Sequence, residues 1–67
     1  MLSAVMKELD DSLADVIDGP TRTKLIKYLF NRIDSISDSS KKEATLSKIA
    51  AKLGDNDYWI AYAENNL

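Results

Sequence analysis

Thr23-Lys24-Leu25-Ile26-Lys27-Tyr28-Leu29-Phe30-Asn31-Arg32-Ile33-Asp34-Ser35-Ile36 is the stretch that decides the fold. Leu25, Ile26, Leu29, Ile33 and Ile36 recur at three- and four-residue steps, the period of an α-helix. Tyr28 and Phe30 widen the apolar surface beyond one stripe. A stripe that broad is covered from more than one side. The stretch therefore reads as a central helix with an earlier and a later helix packed on it.

Upstream, Leu2, Val5, Met6, Leu9, Leu13, Val16 and Ile17 share one face of a helix expected from about residue 2 to 18. Ser3 is placed to cap its first turn. Glu8, Asp11, Asp15 and Asp18 line the opposite face. Asp15 and Asp18 then sit at the negative end of that helix, where carboxylates do not favour it. That position points to a role other than helix stability. Gly19-Pro20 ends the helix, because proline lacks an N–H and disfavours helical backbone in the residue before it. Pro20 also suits the first turn of the central helix, with Asp18 or Gly19 as its cap.

Downstream, Ser35 to Ser40 is a short polar link of the length that joins two helices. Ser40-Lys41-Lys42-Glu43 has the spacing of a capping box, in which serine and glutamate each accept a free backbone N–H. The third helix then carries Leu46, Ile49, Ala50 and Leu53 inward and Lys41, Lys48 and Lys52 outward. Gly54 closes it in the left-handed conformation. Asp55-Asn56-Asp57 makes a turn and cap. A last helix from Tyr58 to about Asn65 brings Trp59, Ile60, Ala63 and Leu67 inward. No strand-like alternation or repeat occurs. The expected fold is all-α: one compact bundle of three to four helices over residues 1–67, with a C-terminal helical hairpin.

Composition narrows function mainly by exclusion. The 67 residues include no Cys and no His. Disulfides, thiolate zinc sites and the commonest general base are therefore absent. Asp55, Asp57 and the residues after them do not follow the ligand order of a calcium-binding EF-hand loop. Serine has no histidine to activate it. The chain reads as no enzyme, with no cofactor and no metal. No apolar run reaches the roughly 20 residues of a membrane span. No basic segment precedes an apolar leader, so a cytoplasmic location is the default. A core this small, without crosslinks, also favours a homodimer.

Charge is divided by region, within a net charge of −2. Residues 21–54 hold eight Lys and Arg, and the two ends are acidic. Two functions follow. In the first, the chain is a small protein-interaction module (an adaptor, inhibitor or regulatory subunit). Its partner contacts are the carboxylates Glu8, Asp11, Asp15 and Asp18 and the aromatics Tyr58 and Tyr62, because tyrosine is enriched at interface hot spots. In the second, Arg22, Lys24, Lys27, Arg32, Lys41, Lys42, Lys48 and Lys52 hold nucleic acid through its phosphates.

Leu46 to Gly54 resembles the first helix and turn of a helix-turn-helix, with Ala50 at the close approach and Ile60 and Ala63 packing back. The resemblance covers about a third of the chain and implies DNA binding. It departs at Asp55, where the motif has an apolar residue. It departs again in Asp57 to Asn66, which holds no Lys or Arg for phosphates or guanine. The negative total charge also opposes nucleic acid, so the interaction module is the leading reading.

Overall fold

The computed structural model describes residues 2–67, with side chains from Ala4 onward. The expectations for the Leu2 side chain and for a Ser3 cap lie outside the described side chains. Four helices follow in order: α1 Leu2–Ser12, α2 Gly19–Asp34, α3 Ser39–Ala51 and α4 Asn56–Asn66. The all-α expectation is borne out.

One core joins all four. Met6 and Leu9 enter from α1, with Leu13 and Ile17 from the segment after it. Leu25, Leu29 and Ile33 enter from α2, Ile49 from α3, and Trp59 and Ala63 from α4. Every one of these is apolar, and no polar residue among the described ones is fully buried with them. Burying such side chains contributes roughly 1.5–3 kcal/mol each, set against the entropy of ordering the chain. The central stretch supplies its three core residues at four-residue steps, as its period requires.

Helix α1 ends six residues earlier than the expected Asp18. The Ser12 hydroxyl donates to the Leu9 carbonyl at 2.9 Å. Beyond it the chain continues in tight turns, with Val16 N and Ile17 N both donating to Leu13 O. Those turns keep Leu13 and Ile17 one helical step apart and facing the core, so the apolar period runs on past the helix. Val16, expected inward, is 42% exposed.

Arg22 holds this segment from α2. Its Nε donates to Asp10 Oδ1 at 2.8 Å, and its Nη1 donates to Ile17 O at 2.9 Å and Ala14 O at 3.4 Å. One guanidinium thus serves carbonyls that a continuing helix would have bonded itself.

Three aspartates start the other helices. Asp18 Oδ2 accepts from Thr21 N, Asp38 Oδ1 from Ser40 N and Lys41 N, and Asp55 Oδ1 from Tyr58 N. A charged short acceptor at this position meets both the free N–H groups and the positive end of the helix dipole. Asp38 therefore replaces the expected Ser40 to Glu43 capping box. It starts α3 one residue before Ser40, whose backbone N–H is itself capped.

Gly54 adopts φ +88°, the left-handed turn expected of it. Ala50 is exposed, so it does not form the close helix approach of a helix-turn-helix. Leu67, expected inward, is 49% exposed. Among the described residues no helix is long and apolar enough to cross a membrane.

The two caps proposed for α3 are separable by thermal melting. Asp38→Ala should destabilise the chain by about 1 kcal/mol. In a domain of this size that lowers the melting temperature by about 4–8 °C. Ser40→Ala should leave it nearly unchanged. The opposite ranking would restore the capping box.

Candidate functional site

The site forms where the hairpin meets the second half of α2. Asp55 fixes the first turn of α4, which places Tyr58, Trp59 and Tyr62 on adjoining faces. Trp59 is 2% exposed, and its indole N–H donates to the Lys52 carbonyl at 3.0 Å. That bond satisfies the one polar atom of a buried ring and stitches α4 to the end of α3.

The neighbouring tyrosines pack around the indole. Tyr58 and Tyr62 lie edge-on to Trp59, with ring centroids at 5.0 and 5.4 Å. Tyr28, from α2, meets Tyr62 edge-on at 6.2 Å. Edge-to-face pairs of this kind are favourable beyond the area they bury.

Above this cluster lies a groove of about 530 Å³. Ile36, Tyr58 and Tyr62 supply its accessible apolar surface, over the buried Leu29, Ile33, Ile49 and Trp59. Arg32, Lys48 and Lys52 also line it, and no Asp or Glu does. Arg32 Nη1 donates to the Tyr62 hydroxyl at 3.4 Å, and its guanidinium lies 5.9 Å from the Tyr28 ring centre. The Lys52 ammonium lies 4.9 Å from the Tyr58 ring centre. These contacts orient the cations over aromatic faces without neutralising them. Among the described residues the one ion pair is Arg22 with Asp10, so no groove cation has a carboxylate partner.

The groove divides both expected residue sets. Tyr58 and Tyr62 come together in it, Tyr58 exposed and Tyr62 half-buried. From the basic set it takes Arg32, Lys48 and Lys52. Lys24, Lys27 and Lys41 do not line it. Arg22, expected as a phosphate contact, is engaged with Asp10 and the turn carbonyls.

The acidic stripe is also corrected. Glu8 and Asp11 are exposed on α1, Asp15 lies in the following turns, and Asp18 caps α2. One helix face cannot carry all four, because α1 has ended before Asp15. None of the four lines the groove.

A second hollow lies between α1 and α2, lined by Met6, Ile26 and Phe30 with Lys7, Lys27 and Asp10. Its charges are mixed, and it lacks the aromatic cluster. Among the described residues no group of three acidic side chains is placed to hold a metal ion.

The union of the tyrosines with the lysines was readable in principle. Lys48 and Lys52 are four apart before the Gly54 turn, and Tyr58 and Tyr62 are four apart after it. A hairpin brings two such pairs to one side. Arg32 comes from α2, so its arrival there depends on tertiary packing. No protein family model, curated protein or solved structure matches this chain.

The capping role of Asp18 has a pH signature. The Thr21 backbone N–H, and then its hydroxyl, hold the Asp18 carboxyl below its ordinary value of 3.8. Arg22 acts in the same direction. A carboxyl lowered by folding stabilises the fold above its unfolded value, and that contribution is lost as pH falls through the folded value. The melting gap between the wild type and Asp18→Ala should therefore be widest at neutral pH and narrow below 3.8. A gap independent of pH would mean that the carboxylate charge does not act in the cap.

Proposed function

We propose that this chain is a small protein-interaction module, an adaptor, inhibitor or regulatory subunit that binds a partner protein through the Tyr58–Tyr62 groove. The observation that supports this reading is the groove itself. It combines an apolar floor, two tyrosines held by a buried tryptophan, and three cations without carboxylate partners. Aromatic side chains on a rigid support lose little entropy on binding, which is why such positions concentrate binding energy.

Nucleic-acid binding has less support. Of the eight cations first assigned to it, Arg32, Lys48 and Lys52 line the groove, Lys24, Lys27, Lys41 and Lys42 lie outside it, and Arg22 is engaged elsewhere. The role assigned to the acidic residues also changes. Glu8 and Asp11 remain a solvated surface on α1, outside the binding groove.

Affinity capture from the source cell's lysate tests this, with half of each sample treated with nuclease. The wild type should retain one protein in both halves. Glu8→Lys with Asp11→Lys should retain it too. Tyr58→Ala with Tyr62→Ala, checked for helicity by circular dichroism, should weaken retention about thirtyfold, the loss of one hot-spot contact. Tyr58→Ala alone should weaken it in the same direction. Retention that vanishes with nuclease would transfer the function to nucleic acid. Loss confined to the acidic variant would move the site to α1.

A further inference from the structure

The groove reverses the charge of the molecule that carries it. The chain holds 11 acidic and 9 basic residues, yet the groove lining holds three cations and no acid. Arg32 comes from α2, Lys48 from within α3, and Lys52 ends α3. The cations are therefore presented from two elements around one apolar floor. A ligand that fills this place meets two demands at once. It lays apolar surface against Ile36, Tyr58 and Tyr62, above the buried Ile49 and Trp59, and it offers anionic groups to the cations at the edge.

We infer that the groove takes an acidic amphipathic segment of the partner protein, with one large apolar side chain seated on the floor and flanking carboxylates paired to Arg32, Lys48 and Lys52. This rests on the interaction-module reading and adds the chemistry of the partner. Charge complementarity selects the carboxylates, because like charges there would be costly and opposite charges fix register.

The floor selects an aliphatic or aromatic anchor. A single nucleic-acid strand fits less well, since bases stack on open aromatic faces. Here Trp59 is buried, and Tyr58 and Tyr62 turn their edges to it or it to theirs. The Lys52 ammonium already lies near one face of Tyr58. A second copy of the chain is the other occupant to separate, since Val16 beside Asp15 is an exposed apolar group with an acidic neighbour.

The test pans a displayed library of short random peptides against the intact chain. A labelled peptide from the enriched pool is then titrated by fluorescence anisotropy. The pool should carry Asp or Glu on both sides of a Leu, Ile, Phe or Trp. Lys48→Gln with Lys52→Gln should weaken the peptide about tenfold, the sum of two partly exposed charge pairs. Lys24→Gln with Lys41→Gln, outside the groove, should leave it unchanged. Raising the salt concentration should weaken it as well.

A pool without acidic residues, or an affinity untouched by the groove variant and by salt, overturns the inference. So does displacement of the peptide by oligothymidylate at lower concentrations than by the unlabelled peptide. Self-association in sedimentation that the groove variant abolishes would make the second copy the occupant, and overturns it too. If the lysate partner depends on Tyr58 while the pool is neutral or basic, the module reading stands and the acidic partner does not. If the lysate partner is indifferent to Tyr58, the module reading itself has failed.

Discussion

Trp59 is the constraint on which the rest depends. Its ring fills the core while its N–H reaches the carbonyl of Lys52, so one side chain fixes how α4 meets α3. The same ring underlies the groove. Truncating a buried Trp costs about 3–5 kcal/mol, and a chain of this length has a total stability of about 3–10 kcal/mol. Fold and candidate site therefore share one support. A chain without disulfides gains a rigid surface here because the residue that holds the core together also supports Tyr58 and Tyr62.

The charges have a comparable economy. Asp18, Asp38 and Asp55 each accept backbone N–H groups at a helix start, and Asp10 neutralises Arg22 where the chain turns between α1 and α2. Four of the 11 acidic side chains are thus engaged in local structure. The cations of the groove have no such structural partners. Arg32 and Lys52 lie over tyrosine rings, and all three cations line the groove. The molecule is weakly acidic as a whole and basic at the groove between α2, α3 and α4.

Much of the fold was legible in the sequence for definite reasons. The four-residue steps of Leu25, Leu29 and Ile33 place α2 correctly. Pro20 in the first turn of α2 and the left-handed Gly54 mark real boundaries, whereas Gly19-Pro20 does not end α1. The errors arise where two physical causes give the same pattern. Leu13 and Ile17 continue the helical period because tight turns also separate them by one step, so apolar spacing alone carried helix α1 too far. Asp15 and Asp18 then looked misplaced at a helix end. In fact Asp18 stands at the favourable end of the next helix. Ser40 and Glu43 fit a capping box, but the better acceptor lies two residues earlier. The candidate site was legible in halves, as two tyrosines and as a set of cations. Their union with Arg32 depends on packing between distant helices, which no local spacing records.

Amide chemical-shift mapping of the labelled chain with its captured partner tests the central claim most directly. The account predicts shifts concentrated at Arg32 to Ile36, Thr45 to Lys52 and Tyr58 to Tyr62, with Glu8, Asp11 and Lys24 unmoved. Shifts centred on α1, or spread along Lys24, Lys27 and Lys41 while the groove stays silent, would contradict it.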